Sequence, residues 1–316
     1  MARVEVAKLL SSLRNFVSSQ LLNLDMNRIK KYFIILTAAA VLLIPLQTAS
    51  HACTLWAAAG EKVEDEGTII AKNRDYPPQK SELQLVIPKD GFKYFGIFPL
   101  KGNKFHGLVA GINEKGLVIV SATAGSVSRK KRDTGMEGLN RKILAAYSSV
   151  DSVLADKLMF TKSHPVFYLI ADKEEIAIIE VAPGGEISVR KTENGILFHT
   201  NHYIDEKLLH ANEKIGKSSL ARFNRIGKLL NNHPSRFTVD NFITFSEDAA
   251  DGPDDSIWRT GGAPGKERTL ATWIIYMPKN SDPELYVKFA NPDEPIRVYS
   301  IKLDVPFWTE GIELQD

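Results

Sequence analysis

Apolar and polar residues alternate along the first part of the chain after residue 52, and β-branched residues are frequent there. This pattern predicts short strands separated by turns, with Asn-Glu-Lys-Gly at 113–116 as the turn between the last two. The early strands are predicted at 67–71, 82–87, 94–98, 106–112 and 117–122. Strands return in the second half, at 165–172, 175–182, 187–190, 196–199, 270–277, 284–289 and 296–301.

Helical periodicity separates these groups of strands. Apolar residues recur at helical spacing over 139–150, 153–160, 220–230 and 237–245. Ser218 or Ser219 is the predicted N-cap of the third of these helices. Because the helices are grouped rather than alternating with strands, the pattern favours a layered α+β domain over a doubly wound parallel sheet.

The residues before position 53 have the pattern of a secretory signal. Basic residues at 28–31 precede an apolar stretch at 32–46, and small residues occupy Ser50 and Ala52. The apolar stretch contains Pro45 and is shorter than the roughly 20 residues that span a bilayer. We therefore predict an over-extended N-terminus at 1–25, a cleaved signal peptide at 26–52 and a single domain at 53–316. The alternative for 1–25 is a longer signal that is translated and removed with the rest.

Removal of residues 1–52 would change the sign of the net charge. The whole chain has a net charge of +2, but residues 1–52 hold six Lys or Arg against two acids, which leaves −2 on 53–316. A weakly acidic domain gives no reason to expect nucleic acid or an anionic membrane as partner. No Gly-x-Gly-x-x-Gly follows a predicted strand and no Walker motif occurs, so nucleotide binding has no support either.

Cys53 is the only cysteine in the sequence, and cleavage after Ala52 would make it the first residue of the mature chain. An N-terminal residue can use its own α-amine as the general base for its side-chain nucleophile. An unpaired cysteine in an exported protein also suggests a reactive thiol. The competing interpretation is a non-catalytic lipoprotein anchored through Cys53, although Ser50 and His51 fit a lipobox poorly. A cut after Ser50 would leave His51 and Ala52 to be removed in a later step, for which autocatalysis is one route.

Five segments, in order, resemble the cysteine-type N-terminal-nucleophile hydrolases. These include the choloylglycine hydrolases with the penicillin V acylases, and the acyl-CoA:6-aminopenicillanic acid acyltransferases. The segments are Cys-Thr at 53–54, Lys-Asn-Arg-Asp at 72–75, Gly-Ile-Asn-Glu-Lys-Gly-Leu at 111–117, His-Thr-Asn-His-Tyr at 199–203 and Ser-Ser-Leu-Ala-Arg at 218–222. Together they span nearly all of 53–316.

The resemblance implies a four-layer αββα sandwich with the cysteine at the end of a central strand. It also implies site roles. The Cys53 thiol would attack a linear amide, with its α-amine as base. Asp75 would accept from that amine, Asn201 would donate to the oxyanion, and Arg222 would stabilise the thiolate or anchor Asp75.

Three further residues are secondary candidates. Lys72 and Asn73 lie in the second matching segment, where bile-salt hydrolases carry arginine at the position of Lys72. Thr123 stands where the choloylglycine branch has an asparagine oxyanion donor, and its hydroxyl is one candidate for the second donor. The other candidate is a backbone N–H group.

We expect neither a cofactor nor a metal. His199 and His202 lie near Asp205, but no further cluster supplies the four ligands of a structural zinc site. The predicted function is that of an exported enzyme, periplasmic or secreted, that hydrolyses a small-molecule N-acyl amide through an acyl-thioester. No stable membrane insertion is expected after signal cleavage. An acyltransferase of the same fold is the alternative within the resemblance, and the oligomeric state, homo-oligomer included, stays open.

Overall fold

A computed structural model describes residues 52–311. The predicted N-terminal extension and all of the predicted signal peptide except Ala52 lie outside the described residues. The strands are β1 Cys53–Ala59, β2 Thr68–Tyr76, β3 Ser81–Val86, β4 Tyr94–Lys101, β5 Lys104–Phe105, β6 Ala110–Asn113, β7 Val118–Thr123, β8 Val166–Ala171, β9 Ile176–Val181, β10 Ile187–Thr192, β11 Gly195–His199, β12 Arg268–Met277, β13 Glu284–Phe289 and β14 Arg297–Lys302.

The α-helices of the same region are mostly short. They are α1 Arg129–Arg132, α2 Leu139–Ala146, α3 Val150–Ala155, α4 Lys217–Asn231, α5 Val239–Ser246, α6 Gly252–Asp255 and α7 Val305–Glu310. Three 3₁₀ turns, at Gly60–Lys62, Lys157–Lys162 and Leu209–Ala211, complete the elements described between 52 and 311. None of the described helices is long and apolar enough to cross a bilayer.

The strands form two antiparallel sheets. One has six strands in the order β11-β1-β2-β12-β13-β14, and the other follows the order β10-β9-β8-β7-β6-β4-β3, with β5 added on β4. Apolar side chains between the sheets form the largest core, which includes Leu55, Ile70, Val120 and Trp273. Burial of this apolar surface between the sheets is the main force that holds them together.

Helices cover the outer face of each sheet. Ile143 of α2 and Val153 of α3 pack on the sheet that contains β8. Ile226 of α4 and Phe242 of α5 pack on the sheet that contains β1. The order of layers is therefore helix, sheet, sheet, helix, which confirms the predicted α+β class and four-layer αββα sandwich.

Several local predictions are corrected. Gly216 occupies the N-cap of α4, which places Ser218 and Ser219 inside its first turn. The strand predicted at 106–112 starts later than expected, because residues 106–109 belong to no strand and β6 begins at Ala110. The helix predicted at 153–160 starts earlier, at a capping box formed by Ser149 and Ser152, and ends in a 3₁₀ turn.

The periodicity leaves out β1, although this strand organises the candidate site. All seven of its residues are buried, so its faces show no polar–apolar alternation. It pairs with β11 on one side and β2 on the other. Cys53 is its first residue, which agrees with the position that the family resemblance implies.

Candidate active site

Cys53 lies at the N-terminal end of β1, directly opposite Arg74 of β2. Its side chain belongs to the core between the sheets and is 7% exposed. Beside it is a cavity of about 250 Å³, which we call the Cys53 cavity. Its lining comes from β2 and the turn after it, from the segment 106–109, and from the ends of β7 and β8. Cys53, Lys72, Arg74, Asp75 and Thr123 all contribute to it.

The backbone nitrogen of Cys53 has a side-chain acceptor. It donates to Oδ1 of Asn201 at 3.0 Å. Nη2 of Arg222 donates to the same oxygen at 2.9 Å, while Nη1 donates to the Cys53 carbonyl at 2.7 Å and to Oγ1 of Thr54 at 2.9 Å. Because a guanidinium only donates, these contacts establish which amide atom of Asn201 faces Cys53.

Asn201 was predicted to donate to the oxyanion, but the structure shows it chiefly as an acceptor at Cys53. Its Nδ2 donates to the carbonyl of Thr123 at 2.9 Å. This contact joins the two sheets beside the cavity. It also gives Thr123 a backbone role that was not predicted, in addition to a side chain on the cavity wall.

Helix α4 brings Arg222 to this position. The helix approaches β11 so closely that a Cβ on Gly227 would lie 2.9 Å from the ring of Phe198. Arg222 is completely buried, and burial lowers the pKa of its guanidinium while the charge of Asp75 opposes that shift. A buried arginine with this many acceptors is a fixed donor fork rather than a mobile surface charge.

A buried polar group supports Asn201 from behind. Oγ of Ser219 accepts from the Asn201 backbone N–H at 3.0 Å and lies 2.8 Å from Nδ1 of His202. Burial lowers the pKa of His202 to about 4, so its ring is neutral at pH 7. His199 contacts Glu180 at 3.0 Å. Among residues 52–311, no His, Cys, Asp and Glu side chains cluster in a way that could hold a metal ion.

The Lys72 side chain extends from β2 along the Cys53 cavity towards the other sheet. Its Nζ donates to the carbonyls of Val109 at 2.9 Å and Ser121 at 2.6 Å, both in or next to the opposite sheet. Burial lowers the pKa of Lys72, and the neighbouring Cys53 thiol partly offsets this change. The ammonium thus satisfies two sheet-end carbonyls and stays next to the thiol.

Asp75 is buried on the helix-facing side of β2. Its Oδ1 accepts from Oγ1 of Thr269 at 2.8 Å, next to a bulge in β12, and its Oδ2 lies 3.8 Å from Nη1 of Arg259. Oδ2 has no hydrogen-bond donor among the described residues. Burial raises the pKa of Asp75, and the charges of Arg222 and Arg259 oppose this rise.

Asn73 does not belong to the cavity, which corrects its place among the candidates. Because side chains alternate along β2, Asn73 points to the helical layer, away from Lys72. Its Nδ2 donates to the carbonyls of Ser246 at 2.7 Å and Ile257 at 2.9 Å, and its Oδ1 accepts from Thr272 at 2.8 Å. Asn73 therefore anchors α5 and the following loop to the sheet.

Two arginines of the site were not among the predicted site residues. Arg74 lines the cavity, and alternation from Lys72 was the signal that would have placed it there. Arg259 lies in the loop between α6 and β12. It forms ion pairs with Asp75 at 3.8 Å and with Glu267 at 2.9 Å, and no sequence signal predicts this pairing.

A protein-family model for acyl-coenzyme A:6-aminopenicillanic acid acyl-transferase matches residues 63–294. The chain belongs to this family. Asp75, Asn201 and Arg222 lie within the matched residues, whereas Cys53 precedes them. Membership in this acyl-transferase family supports an enzyme.

Solved structures that resemble this chain share little sequence identity with it. No curated protein matches the chain. A variant of conjugated bile acid hydrolase from Clostridium perfringens is similar in structure, with 14% identity, a TM-score of 0.47, and coverage of 79% of this chain and 92% of that chain. Penicillin V acylase from Agrobacterium tumefaciens has 14% identity and a TM-score of 0.49, with coverage of 79% and 86%.

Proposed function

We propose that this protein is an exported amidohydrolase that cleaves a linear N-acyl amide through Cys53. The observation that carries the proposal is the buried side-chain hydrogen bond made by the Cys53 nitrogen. This nitrogen donates to Oδ1 of the buried Asn201, and the buried Arg222 donates to the same oxygen. The nitrogen therefore lies fixed at the end of β1 beside a cavity, next to the thiol of the same residue. Once residues before Cys53 are removed, this nitrogen is an α-amine.

The proposed reaction uses the two functional groups of Cys53. The α-amine takes the thiol proton while Sγ attacks the amide carbonyl, and the carbonyl oxygen becomes an oxyanion. Collapse of this intermediate forms a thioester and releases the substrate amine, which receives the proton. Water, deprotonated by the same α-amine, then attacks the thioester. The carboxylic acid leaves and the thiol is restored.

The surrounding charges suit this chemistry. An α-amine has an ordinary pKa near 8 and serves as base only when neutral. The buried cations Lys72 and Arg222 disfavour the protonated form of this amine. The Oδ2 atom of Asp75, without a hydrogen-bond donor within 52–311, is the acceptor that we assign to the α-amine.

Activation and export would be coupled through the removal of residues 26–52. Ala52 is 3% exposed and Cys53 is 7% exposed, so the bond between them is buried in the folded domain. A protease needs an accessible, extended segment. We therefore infer that the signal is cut before the domain folds, or that the final residues are removed by the site itself.

Intact-mass analysis of protein purified from the exported fraction tests this proposal. We expect a mature chain that begins at Cys53, and a mass increase equal to the acyl group when a slow N-acyl substrate is added. The Cys53→Ala variant should show no such adduct. A diacylglyceryl mass on Cys53, or an acyl adduct that survives in Cys53→Ala, would refute the mechanism.

Acyl transfer is the second candidate, because the family is described by that activity. Both reactions share the thioester and differ in what attacks it. Adding an amine such as 6-aminopenicillanic acid to a hydrolysis assay separates them. Hydrolysis predicts free acid as the main product, whereas a transferase would convert most of the acyl group into the new amide.

A further inference from the structure

Arg74 is the cation of the Cys53 cavity that the proposed mechanism does not use. It is 3% exposed and lies opposite Cys53 on the neighbouring strand, so both side chains project from the same face of the sheet. It lines the cavity together with Lys72. A buried guanidinium always carries its charge and therefore needs partners.

The guanidinium is held in one orientation by two neighbours. Its Nη2 donates to Oε1 of Gln79, and Nε2 of Gln79 donates in turn to the carbonyl of Leu100 at 3.1 Å. The guanidinium carbon lies 5.0 Å from the centre of the Tyr76 ring, in cation–π range. This arrangement presents the planar group without requiring further ordering when a ligand arrives.

One end of the guanidinium is left unsatisfied. Within the described residues Nη1 has no hydrogen-bond partner, although it is buried. The adjacent carboxylate cannot supply one, because Asp75 points to the other face of β2 and pairs with Arg259 and Thr269. A buried, unpaired, charged donor is costly in a native protein and calls for a ligand that completes it.

We infer that Arg74 binds a carboxylate of the substrate, close to the amide that Cys53 attacks. The inference rests on the proposed function and deepens it: the substrate class is an N-acyl amide that carries a carboxylate. The group has two sources. In an N-acyl amino acid it belongs to the amine, and in the monoamide of a dicarboxylic acid it belongs to the acyl part.

Two matched ligand pairs distinguish these sources. N-benzoylglycine and N-benzoylglycinamide differ only by an anion on the amine side. Glutaric acid monobenzylamide and its primary-amide counterpart differ only by an anion on the acyl side. Binding of each is measured by calorimetry on mature Cys53→Ala protein, so that the result does not depend on turnover. The ratio kcat/KM is measured on the active enzyme.

In at least one pair we expect the anion to bind more tightly, and Arg74→Met to remove that preference by about 10- to 100-fold, the usual effect of a charge-assisted hydrogen bond. Gln79→Glu keeps Arg74 but supplies an internal carboxylate, and it should weaken the same preference. Arg190→Met, a substitution of an exposed arginine on the edge strand β10, is the matched control for loss of charge.

An equal loss for the charged and neutral members of both pairs would overturn the inference, because it would mean that Arg74 acts on Cys53 or on the fold. An unchanged preference in Arg74→Met would overturn it as well. Failure of the proposed function looks different: the wild-type enzyme would turn over none of the four compounds, while the calorimetric comparison would still decide the role of Arg74.

Discussion

The side chains on the two faces of β2 have different roles, although these residues are adjacent in sequence. Lys72 and Arg74 point between the sheets and line the Cys53 cavity. Asn73 and Asp75 point to the helical layer, where Asn73 binds backbone carbonyls and Asp75 meets two arginines. One face therefore determines the chemistry beside the thiol, and the other attaches and orients the helices that complete the site.

The largest expected loss of activity comes from a substitution in the Cys53 cavity. Replacing the nucleophile by Cys53→Ala should lower kcat/KM on any N-acyl substrate by at least about 10³-fold, since the covalent route is lost. Thermal unfolding should change little, because a small buried side chain replaces a small thiol. Activity within a few fold of the wild type would show that the thiol does not attack the substrate.

Next in size is Asp75→Asn, which tests whether the helix-facing side also contributes to catalysis. Asparagine keeps the contact with Thr269 but removes the negative charge between Arg222 and Arg259. We expect kcat/KM to fall by about 100- to 1000-fold, comparable to loss of a preorganised electrostatic contact. Circular dichroism of the variant provides the folding control. A loss that is fully explained by an unfolded fraction would assign Asp75 to structure alone.

Asn73→Leu should affect stability rather than chemistry. It leaves the carbonyls of Ser246 and Ile257 and the hydroxyl of Thr272 without their buried partner, and we expect the free energy of unfolding to fall by about 2–4 kcal/mol. Urea denaturation measures this, with Lys72→Met as the comparison on the other face. The two faces would not be distinct if folded Asn73→Leu protein lost activity as severely as Asp75→Asn.

The smallest effect concerns His202, which supports Asn201 from the helical side. Its pKa is about 4 in the folded protein, below the ordinary histidine value of 6.5, so the unfolded chain binds the proton more readily between these values. Its contribution to stability is complete above about pH 6.5 and is lost as the pH falls towards 4. After allowance for solvent screening we expect roughly 1–2 kcal/mol. His202→Asn should flatten this part of the stability–pH curve, and an unchanged slope would contradict the assignment.

Much of the fold follows from local pattern. The strands of the two sheets and the helices α2, α4 and α5 follow from apolar periodicity, which reflects burial of one face of each element. The pattern fails at β1, because a strand buried on both faces has no polar side to reveal it. It fails again at the start of α4, where the Ser219 hydroxyl is used by Asn201 and His202 instead of capping the helix.

The candidate site divides in the same way. Cys53, Asp75, Asn201 and Arg222 were proposed from short segments, and the structure brings Cys53, Asn201 and Arg222 into direct contact. The direction of the Asn201 amide could not be read from those segments, since it depends on Arg222 and the Thr123 carbonyl. Arg259 and Thr269 reach Asp75 from more than 180 positions away along the chain, so no local signal predicts them.

The sequence by itself determined the layered class, the order of most elements and the position of a single cysteine after a segment with the pattern of a secretory signal. These properties depend on periodicity and on residue identity, which are local. Only the tertiary structure decided which face each polar residue of β2 presents, which side-chain oxygen accepts from the Cys53 nitrogen, and which guanidinium among the described residues is left with an unpaired end. Those properties depend on contacts between distant strands and helices, and such contacts exist only after the sheets have packed.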